Sequence, residues 1–144
     1  MPFHIQLLNG IIETTISGVI TFGDMNEMPV AVEELERRFE ITPHRLADLT
    51  AVSGAKIHFE DMARMANIRT NAPIRNMVKS ALVATDQMQF GYARMFASLN
   101  HNPNITIQIF QTREAALEWI SSETNLETGP KACTQPAFIV ETGA

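Results

Sequence analysis

Four histidines, His4, His44, His58 and His101, are the side chains of this chain best suited to proton transfer near neutral pH. No two of them stand at metal-ligand spacing, and no His-x-x-x-His occurs. Each reads as a surface or half-buried histidine. His58 is set apart because it opens the periodic run Phe59–Arg69 and so falls at a helix start. Glu60 and Asp61 follow it, but adjacent residues on a helix project apart and make a poor acid–base pair. As first-turn acids they suit the helix dipole instead. Cys133 is the only cysteine, which excludes an internal disulfide and a thiolate metal cluster. Met62 and Met65 share one helical face and read as core filler, since no Cys or His shares their spacing. Neither a Gly-rich phosphate loop nor a Gly-x-Ser-x-Gly elbow is present. The expectation is a protein with no catalytic residue, no metal site and no cofactor.

The elements that must position these residues are clearest between Lys79 and Ile120. Ala81–Ala84 is a short apolar run, as expected of a strand covered on both faces. Thr85 or Asp86 can cap the following helix by accepting from its free N–H groups. Met88, Tyr92, Met95, Phe96 and Leu99 then form one helical stripe. Pro103, in a polar cluster, requires that helix to stop before it. Ile105, Ile107 and Ile109 alternate with Thr106, Gln108 and Phe110, the period of a strand. Thr112 is placed to cap a last helix that buries Ala116, Trp119 and Ile120. Two strands joined by a helix are normally parallel and right-handed.

The preceding segments extend this pattern. Phe3–Leu8 turns Ile5 and Leu7 inward, and Asn9-Gly10 is a two-residue hairpin signal. Ile11–Ile20 continues as a second strand, with Ile12, Thr14 and Ile16 on one side and Glu13, Thr15 and Ser17 on the other. Thr21–Asn26 reads as a turn, and Asp24 with Glu27 has capping-box spacing. Met28, Val32, Leu35 and Phe39 form the stripe of a helix. Its outer face carries Glu33, Glu34, Glu36, Arg37 and Glu40 toward solvent. Pro29 must lie in its first turn or kink it. Thr42-Pro43 marks a loop, Arg45–Val52 a third strand, and Ser53–Lys56 a loop before the helix Phe59–Arg69, which buries Met62, Met65, Ala66 and Arg69. Thr70–Pro73 ends that helix. Residues 123–144 lose periodicity and read as a tail after a domain of residues 1–122. Phe138-Ile139-Val140 is the tail's one apolar cluster, fit to pack on the body or on a neighbour.

In open α/β sheets, ligands bind outside the carboxyl ends of the strands. Here that rim holds Thr21, Thr50, Ser53, His58 and Thr85, rich in hydroxyls and nearly uncharged. The plain reading is loop and capping chemistry. The sharper one is a small apolar pocket with a few hydroxyls.

At 144 residues the chain is one domain by prior, and 45% apolar with 19% charged residues is the balance of a soluble globular protein. No apolar run approaches the ~20 residues a membrane helix needs. The beginning of the chain shows no secretory pattern, so a cytoplasmic home is expected. Asn104-Ile105-Thr106 matches a glycosylation pattern by chance, in a strand. A net charge of −5 argues against nucleic-acid binding. Residues 24–61 hold nine acids and four bases, whereas residues 62–113 hold six bases (Arg64, Arg69, Arg75, Lys79, Arg94, Arg113) and one acid. That polarity reads as two solvated faces of opposite sign, or as a surface that steers a charged partner or pairs with a second copy.

A hairpin, three helix–strand alternations and a final helix resemble the STAS superfamily, closest to its SpoIIAA-like branch. The cues are Gly10-Ile11-Ile12, Leu46-Ala47-Asp48-Leu49-Thr50, Tyr92-Ala93-Arg94-Met95-Phe96, Ile107-Gln108-Ile109-Phe110 and Glu114–Ile120, in that order across Phe3–Ser122. The resemblance implies a mixed four- or five-stranded sheet, its first strand antiparallel to the rest, carrying about four helices. It implies a regulatory or protein-binding module rather than an enzyme. In the antagonists of that superfamily a kinase phosphorylates a serine in an Asp-Ser-Ser-Gly turn after the central strand, where a helix N-terminus suits phosphate. This chain has Lys56-Ile57-His58 at that place, with Ser53 several residues early, so the phosphoserine switch is not carried over. The branch is also similar in architecture to the CRAL-TRIO lipid-binding fold.

Three functions follow as expectations. The first is a non-enzymatic interaction module with a protein partner, or self-association as a homodimer. The second is a carrier or sensor of a small apolar, lipid-like ligand at the rim. The third, least favoured, is an enzyme acting through His58 and the rim hydroxyls.

Overall fold

The computed structural model describes residues 3–122 and 141–142. The elements run β1 (Phe3–Leu8), β2 (Ile11–Thr21), α1 (Phe22–Glu36), β3 (Arg45–Lys56), α2 (Phe59–Thr70), β4 (Val78–Val83), α3 (Gln87–Leu99), β5 (Ile105–Phe110), α4 (Arg113–Ser121) and the two-residue β6 (Glu141–Thr142). β1 opens the chain as one arm of a hairpin, because Asn9 and Gly10 both accept positive φ, at 54° and 78°. β2 to β5 pair in parallel, and β1 lies antiparallel to β2. The sheet order is β5-β4-β3-β2-β1-β6, with β6 adding one short antiparallel pairing to β1 at Ile5 and Gln6. This is the mixed α/β sheet the periodicity predicts: five strands, plus a short sixth contributed from beyond residue 140. Phe138–Val140 and Cys133 lie outside the described residues.

Two cores lie on the two faces of the sheet. On one, Phe3, Ile5 and Leu7 of β1 join Ile12, Ile16, Leu49 and Leu82 beneath α1, α2 and α3. On the other, Leu46, Ala81 and Val83 meet Ala116, Trp119 and Ile120 of α4. β4 is buried along its whole length because it lies between both layers. Its apolar run Ala81–Val83 is explained by that place, and Lys79 and Ser80 are buried ahead of it.

Three expectations are corrected, and one, the place of Pro29, is narrowed. The Ser53–Lys56 segment is strand, not loop: β2 is long enough to pair with β3 as far as Thr21–Lys56, with register shifts around Gly18, whose φ is +71°. The segment Thr21–Asn26 is not a turn. β2 passes directly into α1, whose cap is Thr21: its hydroxyl accepts from the Asp24 N–H, and the Asp24 carboxylate accepts from the Thr21 N–H at 2.8 Å. Pro29 stands inside α1 rather than in its first turn, so the Met25 carbonyl lacks its usual helical donor. Glu36 is not on a solvated face; it is buried, for a reason given by its partners below.

Candidate functional site

Of the five rim residues, Thr21 ends β2, His58 is the N-cap of α2, Thr85 precedes the cap of α3, and Thr50 and Ser53 stand within β3; four of the five are engaged in local bonding. The Thr21 hydroxyl donates to Asp24 Oδ2 at 2.9 Å. The Thr50 hydroxyl donates to Asp48 Oδ1 at 2.6 Å. The His58 backbone N–H, at the start of α2, donates to Asp61 Oδ2 at 2.7 Å. Ser53 is an exposed strand residue of β3. Thr85 donates through its N–H and its hydroxyl to Gln89 Oε1, at 2.9 and 3.1 Å.

Gln89 brings two rim positions together. Its Nε2 donates to the carbonyls of Thr50 and Val52, at 3.1 and 3.0 Å, while its Oε1 holds Thr85. A buried amide thus ties the start of α3 to the middle of β3. Thr21 pairs with Lys56 across β2 and β3, away from that clamp.

Behind the rim lies a cavity of about 120 Å³. Its floor is the sheet, where Ile16 and Ile20 of β2, Leu49 of β3 and Leu82 of β4 alternate inward. Its roof is Met25, Met28 and Val32 of α1, Met62 and Met65 of α2, and Tyr92 and Phe96 of α3. α2 packs against both other helices and so closes the middle. Met62 and Met65, with Tyr92 and Phe96 of the α3 stripe, belong to the core and also border this space. None of the five rim residues lines it.

Charged groups also line the cavity. Arg45, the first residue of β3, and Arg69, near the end of α2, are 8% and 3% exposed. Both meet Glu36 of α1. Arg69 Nη2 donates to both Glu36 oxygens at 2.9 Å, and Arg45 Nη1 donates to Oε2 at 3.2 Å. Glu36 is buried because it accepts from two guanidinium groups that need a carboxylate. Glu33 stands farther off, 4.0 Å from Arg69 Nη1. Nε and Nη1 of Arg69 are buried without a hydrogen-bond acceptor. Burial and the neighbouring Arg69 charge lower Arg45 from its usual value to about 9, against the raising effect of Glu36, so it stays cationic at neutral pH.

The charge polarity of the sequence is thus partly consumed within the molecule. Glu36 of the acidic segment pairs with Arg69 of the basic one, and Arg113 pairs with Glu13. Lys79 is fully buried. Arg69 and Lys79 are therefore not part of a solvated basic face.

This layered arrangement, a mixed sheet with helices on both faces, has a counterpart among solved structures. An uncharacterized protein of the DUF3478 family from Shewanella loihica PV-4, described as having a SpoIIAA-like fold, superposes with a TM-score of 0.50 over 76% of this chain and 83% of that one, at 18% identity. The fold is SpoIIAA-like. No protein-family model matches the chain, and no curated protein does. The SpoIIAA-like sheet accounts for where the hairpin, the capped helix starts and the α4 layer fall.

The sequence pattern did not single out Glu36, Arg45 or Gln89. Its spacing did carry a signal for two of the buried ions: Glu36 is four residues after Val32, and Arg69 is four after Met65, so both continue apolar stripes.

Proposed function

We propose that this SpoIIAA-like domain is a non-enzymatic binding module that takes a small apolar molecule into the cavity between the sheet and α1–α3. The observation that carries the reading is the cavity itself: side chains of six elements leave about 120 Å³ unfilled in what is otherwise a packed core. An apolar cavity of roughly 150 Å³ takes up benzene, so a space of about 120 Å³ is on the scale of one small ring and no more. The ligand site is thereby set behind the rim, not among Thr21, Thr50, Ser53, His58 and Thr85. The bonding of four of those residues supports a capping role: their hydroxyls and N–H groups serve helix starts and an adjacent carboxylate. Native mass spectrometry of the purified full chain tests the proposal. A bound species of low mass that is released on denaturation supports it. Bare protein that also takes up no added toluene contradicts it.

A second reading, the protein-partner module, is favoured by two exposed aromatic rings. Phe22 and Phe59, 51% and 59% exposed, are the first residues of α1 and α2 at the rim. The Arg64 guanidinium lies 5.3 Å above the Phe22 ring. Such a pair offers a partner or a second copy an apolar foothold. Sedimentation of the wild type and Phe59→Ser tests self-association, which predicts a larger species only in the wild type.

A further inference from the structure

We propose that the cavity ligand is a small apolar acid whose carboxylate seats at the Arg69–Arg45 end of the cavity. The inference rests on the cavity being a ligand site. It adds what that ligand must carry.

The argument is one of unmatched charge and unmet hydrogen bonds. Two buried guanidinium groups, Arg45 and Arg69, share one buried carboxylate, Glu36. The next acid, Glu33, is partly exposed and only reaches 4.0 Å from Arg69 Nη1, which is outside hydrogen-bond range. Arg69 is left with two buried nitrogens, Nε and Nη1, that have no acceptor and are covered by neighbouring atoms, so an incoming carboxylate reaches them by displacing one of those neighbours. A guanidinium presents its donors in a planar fork that fits a carboxylate through two parallel bonds. An unfilled donor of this kind in a water-poor interior costs free energy, and an anion delivered by a ligand removes that cost. Both arginines line the same cavity whose other walls are Met, Leu, Ile, Tyr and Phe. One end of the space therefore asks for a carboxylate and the rest for a hydrocarbon or aromatic body. Ser80 of β4, paired in register with Arg45, lines the same end and adds a hydroxyl donor. A neutral apolar molecule would fill the volume and leave Arg69 as it is. A longer dianion would bring a second charge against the apolar walls. A monocarboxylate about the size of a substituted benzene satisfies both ends.

The test uses the full chain and three probes of one size class: benzoate, its neutral isostere benzamide, and toluene. Affinities are measured by calorimetry or by chemical-shift titration at neutral pH. The proposal expects benzoate to bind at least about tenfold tighter than benzamide, the scale of one charge-assisted contact. It expects Arg69→Gln to abolish that preference. Because that variant leaves Glu36 with one partner fewer, Glu36→Gln/Arg69→Gln serves as the charge-balanced control and must lose the preference too. Toluene binding with no preference for benzoate over benzamide overturns this inference and leaves the cavity reading standing. Binding of none of the three overturns the cavity reading, and the carboxylate with it. A preference for benzoate that survives in both variants places the anion elsewhere and overturns the assignment to Arg69.

Discussion

Arg69 on α2 holds Glu36 on α1 through both carboxylate oxygens at 2.9 Å, fixing two roof helices to each other inside the apolar layer. Removing the acid leaves two buried cations without it. Glu36→Gln is expected to destabilise the fold by about 3 kcal/mol or more. Glu34→Gln, one turn face away in solvent, should change stability by less than about 0.5 kcal/mol. Urea titrations of the two variants, followed by far-UV dichroism, check the contrast.

His44 gives the fold a pH dependence of known sign. Its Nδ1 accepts from the Lys79 N–H at 2.9 Å, and burial, aided by the Lys79 charge, lowers it from 6.5 to about 4. The folded state therefore keeps His44 neutral where the unfolded chain would protonate it. Between pH 6.5 and 4 the unfolded state binds the extra proton, so this contribution is complete above pH 6.5 and is lost as the pH falls toward 4. The loss amounts to about 3 kcal/mol. Stability measured from pH 7.5 to 4 should fall less steeply in His44→Asn, whose side-chain oxygen can still accept from Lys79. Parallel curves for the two proteins would contradict the assignment.

Lys79 closes the far side of the sheet. Its ammonium donates to the carbonyls of Trp119, at 2.8 Å, and Ser122, and lies 5.3 Å from the centre of the Trp119 ring. Both carbonyls stand at the end of α4, where the Trp119 carbonyl also accepts from the Ser122 N–H at 3.1 Å. Lys79→Met should cost about 1–3 kcal/mol through the charge-assisted hydrogen bonds it removes. Amide exchange should show α4 opening first, with the α1–α3 layer protected as before.

Filling the cavity separates binding from stability. Ala93 of α3 is buried and lines the space. Ala93→Leu is expected to keep or raise the melting temperature, as cavity-filling substitutions commonly do. It should weaken uptake of an apolar probe by about tenfold or more, which corresponds to about 1.4 kcal/mol. A melting temperature several degrees lower would mean that the space is too tight at that point to admit the added carbons.

The layers of this fold were legible because they follow period. Ile105–Phe110 alternates and is β5; Ala116, Trp119 and Ile120 recur on one helical face and are the α4 core. Asn9-Gly10 fixed the hairpin through backbone conformation alone. What escaped was decided by partners far away in sequence. Ser53–Lys56 has loop-like residues, but β2 is present to pair with them. Glu36 has the composition of a solvated face, and only Arg45 and Arg69 make its burial possible. The cavity was invisible for a related reason. The stripe of Met28, Met62, Met65, Tyr92 and Phe96 announces an apolar interior, yet period cannot tell whether facing stripes meet or stand apart. The rim hydroxyls drew notice by their type, whereas Thr21 and Thr85 serve helix starts and Thr50 bonds Asp48 within β3.

The account turns on whether the space under α1–α3 admits an apolar molecule. Methyl spectra of methionine-labelled protein, titrated with toluene, measure this directly, because Met25, Met28, Met62 and Met65 line the cavity while Met77 does not. Saturable shifts confined to the lining methionines, with Met77 unmoved, are the predicted result. Lining methionines that stay unmoved up to the solubility limit of toluene, or shifts that grow linearly at Met77 as well, would contradict it.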